Sequence, residues 1–269
     1  VRTAPLTEAA ETDGGPIRPG PPGSGRDPLL LVAHGSRDPR AAEATRALAR
    51  AVSDARPGTP VLASWLDHTE PGPTEALRGL AAAGHSRAVL VPLLLTAAYH
   101  RRVDIPAAVA AAQESGPPIA VTVTDVLGPV GNRVDRSLLD ALGRRLAEAE
   151  PGRFDAVVLA AAGTRDASAR ASVGRVAREL GAVLGATTRV SYASAAPPAV
   201  GAAVARLRAR GARRVAVAAY FLAPGLFHDA VAVSAREAGA VAVAAPLTDA
   251  PELVGLVLDR VDVQAPSTR

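Results

Sequence analysis

The sequence of 269 residues contains no cysteine. That absence excludes disulfides, thiolate ligands, cysteine nucleophiles and cysteine-held iron–sulfur clusters, so any metal must be held by histidine and carboxylate. Lysine is absent too, and all 30 basic residues are arginine, which raises the isoelectric point although the net charge is only +4. An arginine-for-lysine bias with abundant alanine fits a GC-rich genome and carries no functional message. Aromatic residues make up 3%, too few to indicate a nucleic-acid binder. Methionine is missing even at position 1, where Val1 fits a literally translated GTG start codon. No stretch reaches the roughly 18 apolar residues needed to span a bilayer. Residues 1–27 are rich in Pro and Gly and have no apolar run, so they resemble neither a signal peptide nor a membrane anchor. They are expected to form a disordered leader, and the protein is expected to be soluble and cytoplasmic.

What the chain does have is an internal repeat. Leu-Leu-Leu-Val-Ala-His-Gly-Ser-Arg-Asp at 29–38 returns about 128 residues later as Val-Val-Leu-Ala-Ala-Ala-Gly-Thr-Arg-Asp at 157–166, with Ala162 in place of His34. His100 follows Leu-Leu-Leu-Thr-Ala-Ala-Tyr, and at the same spacing His228 follows Phe-Leu-Ala-Pro-Gly-Leu-Phe. A duplication that keeps its scaffold and loses a polar residue implies one working site, in the first half, and one degenerate copy.

Short apolar runs alternate with longer helical segments, the pattern of βαβ units around a parallel sheet buried on both faces. The expected fold class is α/β: two tandem similar domains, each a parallel sheet of about four strands flanked by helices. Strands are expected at 29–33, 61–65, 88–94 and 119–123, with helices at 39–54, 74–83, 102–113 and 131–148. The second half repeats the order with strands at 156–160, 189–192, 215–219 and 241–244 and helices at 168–181, 199–210, 229–238 and 252–261. Glu150, Pro151, Gly152 and Arg153 mark the join between a catalytic domain at 28–150 and a degenerate one at 151–262, with a tail at 263–269. So short a linker implies that the two domains pack against each other, and the duplication itself imitates a dimer, which favours a monomer.

Ligands of open parallel sheets bind beyond the carboxyl ends of the strands. His34 falls just past the first strand, Asp67 and His68 follow the second, and His100 follows the third, so three successive strands are expected to deliver His34, Asp67 and His100 to one cleft. Two imidazoles and a carboxylate suit a borderline divalent metal such as iron, cobalt or nickel. His68 adjoins Asp67 and points either into the cleft or away from it. His85 precedes the third strand, at the opposite end of the sheet, and is expected to be structural or without a role. Ser36 and Asp38 suit the cap of the first helix. Arg37, Arg101 and Arg102 would surround the cleft, and guanidinium groups there would recognise carboxylates or phosphates; in a chain with 30 arginines, solvated surface arginine is the competing reading. Arg165 and Asp166 repeat Arg37 and Asp38.

The segment Leu-Val-Ala-His-Gly-Ser-Arg-Asp-Pro-Arg, the stretch Trp-Leu-Asp-His-Thr-Glu-Pro at 65–71, and Val-Pro-Leu-Leu-Leu-Thr-Ala-Ala-Tyr-His with Asp104-Ile105-Pro106 resemble the class II chelatases. More closely, the chain resembles the long two-domain sirohydrochlorin chelatases, which insert cobalt or ferrous iron into sirohydrochlorin for cobalamin or sirohaem synthesis. The resemblance spans about residues 28–262. It implies that His34 and His100 hold the incoming metal, that Asp67 assists at a place where the family more often has Glu, and that His228 has no catalytic role. It also implies that Fe2+ or Co2+ is a substrate, that no cofactor is tightly bound, and that sirohydrochlorin is the partner, with nucleic acid and membrane excluded. Gly-Pro-Val-Gly-Asn at 128–132 is not a phosphate loop.

Two other readings compete. Leu-Val-Ala-His-Gly resembles the phosphohistidine strand of histidine phosphatases, but that chemistry needs Arg immediately before the histidine and Ala33 stands there. A non-catalytic metal or tetrapyrrole carrier would use the same two imidazoles and stop at one equivalent where a chelatase turns over.

Overall fold

The computed structural model describes residues 26–97, 103–114, 116–248 and 250–264. Strands β1 (Leu29–Ala33), β2 (Val61–Trp65), β3 (Arg87–Leu93) and β4 (Ala120–Val123) pair in parallel in the order β2-β1-β3-β4. Strands β5 (Ala156–Ala161), β6 (Thr187–Tyr192), β7 (Val215–Tyr220) and β8 (Ala242–Val243) repeat that order as β6-β5-β7-β8. The helices between them are α1 (Pro39–Ala55), α2 (Pro73–Ala82), α3 (Ile105–Glu114), α4 (Arg136–Glu148), α5 (Ala167–Leu184), α6 (Val200–Ala209), α7 (Leu226–Glu237) and α8 (Pro251–Asp262). The expected α/β class with two similar parallel sheets is what the chain forms.

Period-two burial explains the layers. On β1, Leu29 and Leu31 enter one core while Leu30 and Val32 enter another, and β5 sends Val157 and Leu159 one way and Ala156 and Val158 the other. Among the described residues, the outward-facing ones pack with helices of their own half. The inward-facing residues of both sheets share a single core with α1, α4, α5 and α8. Both faces of each sheet are therefore covered, which is why the strands read as continuous apolar runs.

Two helices change partners. Helix α4 follows the first sheet in sequence but packs on β7 and α5 of the second, and α8 follows the second sheet but packs on α1 and β3 of the first. They also lie against each other, where Arg144 pairs with Glu252 at 2.6 Å. Leu138, Leu142 and Leu146 of α4 are fully buried in the shared core. Each contributes roughly 1.5–3 kcal/mol, against about 0–1 kcal/mol for a partly exposed ion pair. Apolar burial thus fixes the halves relative to each other, and the ion pairs only trim the fit.

Helix α4 starts at Arg136 rather than near 131. Val130 and Arg133 close a small turn, and the Asp135 carboxylate caps the helix by accepting from the Ser137 amide at 3.0 Å. Strand β8 spans two residues instead of the four expected.

Candidate active site

In each sheet the first strand lies between the second and the third, so the connections leave it to opposite sides and open a crevice beyond its carboxyl end. The crevices of the two halves meet in one cavity of about 1090 Å³, slightly larger than ordinary small-molecule pockets. His34, Arg37 and Trp65 line it from the first half, and Arg165, Tyr192 and Phe227 from the second.

His34 is exposed at the end of β1. Its carbonyl accepts from the Asp67 amide at 2.9 Å, just as that of Ala33 accepts from Leu66 at 3.0 Å, so the backbone of β2 clamps the backbone that carries the imidazole. Gly35 makes the clamp possible: its φ is +97°, and a Cβ there would lie 1.8 Å from the Asp67 carbonyl oxygen. The second half repeats the device. Ala162 carbonyl accepts from the Ser194 amide at 2.9 Å, and Gly163, at φ +103°, approaches the Ser194 carbonyl oxygen as closely.

The turns that follow share the same hydroxyl and aspartate bonds to the backbone. Ser36 Oγ accepts from the Asp38 amide at 3.1 Å, and Asp38 caps α1 by accepting from the Arg40 amide at 3.0 Å. Thr164 Oγ1 accepts from the Asp166 amide at 3.1 Å, and Asp166 caps α5 by accepting from the Ser168 and Ala169 amides. Ser36 and Asp38 therefore organise the turn, and Arg37 is the residue between them that faces the cavity. The Arg40 guanidinium holds Asp38 below the usual carboxylate range and reaches Asp229 at the start of α7 at 2.6 Å, a strap between the halves.

Asp67 is exposed and is not part of the cavity wall, whereas His68 is. The left-handed backbone of His68, φ 62°, turns the chain there, and Ala195 repeats it at φ 59° in the second half. Among the described residues no three His, Asp or Glu side chains gather in a group able to hold a metal. His100, Arg101 and Arg102 lie outside the described residues. His85 precedes β3, at the far end of the sheet from the cavity.

His228 lies in the first turn of α7, where Nε2 donates to the Ala244 carbonyl at 3.0 Å and the ring meets the edge of Phe221 at a centroid distance of 5.9 Å. It ties α7 to the end of β8. Its correspondence with His100 does not follow from the strand pairing. Ala33 and Ala161 are 128 residues apart, but their partners Leu93 and Tyr220 are 127 apart.

Two lining residues, Tyr220 and Tyr192, carry no motif in the sequence. Tyr220, buried at the end of β7, donates to the Leu95 carbonyl at 2.9 Å across the halves, and burial pushes its phenol far above its ordinary value. Tyr192 ends β6 as Trp65 ends β2, and desolvation raises its phenol, with the Arg170 charge opposing. Trp65 itself is covered by the Arg46 guanidinium, 4.8 Å from the ring centroid. The only sequence signal for the two tyrosines is that each ends an apolar strand, whereas Trp65 opens the Trp-Leu-Asp-His-Thr-Glu-Pro stretch at 65–71.

Among the described residues no helix is long and apolar enough to cross a membrane. Known proteins agree with this architecture. A curated relative, the sirohydrochlorin cobaltochelatase of Priestia megaterium, is 27% identical over 205 residues, 74% of this chain. The chain spans 65% of that relative's length. Among solved structures, SirB from Bacillus subtilis with Fe3+ has a TM-score of 0.75 at 20% identity, covering 88% of this chain and 94% of SirB. CbiX, described as the terminal enzyme of sirohaem biosynthesis in denitrifying bacteria, has a TM-score of 0.63 at 19% identity, covering 89% and 100%. Both structural likenesses concern the fold. The family model CbiX matches residues 28–149 and again 156–264, one copy for each half, and the chain therefore belongs to the CbiX family.

Proposed function

We propose that this protein is a sirohydrochlorin chelatase, a lyase that inserts Fe2+ or Co2+ into sirohydrochlorin for sirohaem or cobalamin synthesis. The observation that carries the proposal is His34: an exposed imidazole on a clamped strand end, at the crevice of the first sheet, facing a large and mainly apolar cavity edged by Arg37. A planar, polycarboxylate tetrapyrrole has the two properties that such a cavity recognises. The relative from Priestia megaterium bears the name of this reaction, and SirB was solved with Fe3+ and with cobalt.

Insertion exchanges two pyrrole protons for one divalent cation. His34 and His100 are proposed to hold the incoming ion as neutral imidazoles, which are good ligands for iron, cobalt and nickel. Once the ion has passed to the macrocycle, an imidazole freed of metal is a base suited to take a pyrrole proton near neutral pH. Asp67 is proposed to assist from the turn after β2, near His68, which itself faces the cavity. Arg37, Arg101 and Arg102 are proposed to attract the substrate's carboxylates, and positive potential at a cleft speeds encounter with a polyanion. A cytoplasmic monomer without a resident cofactor completes the reading.

The test is anaerobic metal insertion followed by absorbance, with ferrous iron, cobalt and nickel at matched free concentrations. Many equivalents of metallated product per protein are expected, and His34→Ala and His100→Ala should each abolish turnover. A stop at one equivalent would identify a carrier, and near-normal turnover in either variant would overturn the metal-site assignment.

A further inference from the structure

The half with Ala162 in place of the histidine has the arginine all the same. Arg165 stands in the β5–α5 turn where Arg37 stands in the β1–α1 turn, and both line the cavity. In each turn the flanking hydroxyl and carboxylate side chains are engaged by backbone amides. Neither the Arg37 nor the Arg165 guanidinium has a hydrogen-bond or ion-pair partner among the described residues, and only the backbone carbonyl of Arg165 is used, by Arg170. Several other arginines of this chain are engaged. Arg40, Arg144, Arg145 and Arg260 all pair with carboxylates, and Arg170 and Arg214 donate to carbonyls.

The cavity wall that follows β7 is the second observation. After β7 the chain passes through Pro224 and Gly225 and sets Leu226 and Phe227 on the cavity, 74% and 52% exposed. Phe227 is the one aromatic among the exposed large hydrophobic residues described. An apolar ring open to solvent in the same cavity as an unpaired guanidinium fits a ligand with a flat apolar face and an anionic edge. A carboxylate binds guanidinium through paired, charge-assisted hydrogen bonds, and a planar ring gains from offset contact with an aromatic side chain.

We propose that the second half is the seat of the macrocycle: Arg165 binds a substrate carboxylate opposite the Arg37 side, and Phe227 lies against the ring face. The duplicated half then contributes substrate recognition while the first half contributes the metal. This rests on the proposed function for the choice of sirohydrochlorin as ligand.

The experiment titrates metal-free sirohydrochlorin into the full chain and reads quenching of Trp65, the sole tryptophan, which lines the same cavity. Wild type is compared with Arg165→Ala, Arg165→Lys and Phe227→Ala, alongside kcat and KM for cobalt insertion. Arg165→Ala should raise Kd and KM about tenfold or more and flatten the salt dependence of Kd, with the loss falling on KM rather than kcat. Arg165→Lys should recover part of it, and Phe227→Ala should raise Kd by several-fold without changing the salt dependence. An unchanged Kd in Arg165→Ala, or a loss confined to kcat, overturns the seat. If wild type does not metallate sirohydrochlorin, the functional reading falls, and the seat is judged by the same Kd contrast with metal-free uroporphyrin, another polycarboxylate macrocycle.

Discussion

The turn at 34–38 and the turn at 162–166 share a glycine at nearly the same positive φ, a hydroxyl bonded to the same amide, an aspartate cap and a cavity-facing arginine. They differ at one chemically decisive position, His34 against Ala162. The same backbone device therefore serves with and without an imidazole, because Gly163 and its clamp shape the β5 end of the wall. Conserving the frame while exchanging the imidazole for a methyl group separates what holds the site from what reacts in it.

The largest effect that would sharpen this contrast comes from the two glycines. Gly35→Ala and Gly163→Ala each force a Cβ onto a backbone carbonyl in a left-handed conformation, so each should cost on the order of 2–4 kcal/mol, read as a fall in Tm. Only Gly35→Ala should also depress kcat, by more than tenfold, because only that turn carries an imidazole. Equal kcat losses would mean that both halves react.

Tyr220→Phe comes next. Removing the hydroxyl that spans to the Leu95 carbonyl should destabilise the protein by about 1–2 kcal/mol, measurable by urea unfolding, with no comparable change for Tyr192→Phe, whose hydroxyl has no partner among the described residues. His228→Ala should lower stability by about 1 kcal/mol through the lost bond to Ala244 and leave metal insertion close to wild type.

The smallest effect is in acid. Arg144 holds the Glu252 carboxyl below its usual value, and amides of Arg213 and Arg214 do the same for Asp155. Folded-state values below the unfolded ones mean that this stability is fully present above the ordinary carboxylate range near pH 4 and is lost as pH falls through the lower folded values. Glu252→Gln should shrink the Tm difference between pH 6 and pH 3, whereas a Tm that rises on acidification would contradict the assignment.

Much of this was legible in the sequence because strand ends are legible. The apolar run of β1 stops at His34, and a buried parallel strand can stop only where the chain leaves the sheet, so the imidazole had to stand at its carboxyl edge. The exchange of α4 and α8 was not legible, since an amphipathic helix shows an apolar face without naming the sheet that covers it. Nor was the difference between Asp67 and His68, which turns on a positive φ at a non-glycine residue. The Tyr220–Leu95 bond joins residues 125 positions apart, and no local pattern announces it. A repeat spacing is also a local guide: the offset is 128 residues between β1 and β5 and 127 between β3 and β7.

One comparison bears most directly on the division of labour between the halves: anaerobic cobalt insertion under multiple turnover by wild type, His34→Ala and His228→Ala. The account predicts many equivalents for wild type and His228→Ala and none above the uncatalysed rate for His34→Ala. Equal losses in the two variants, or retained turnover in His34→Ala, would contradict it.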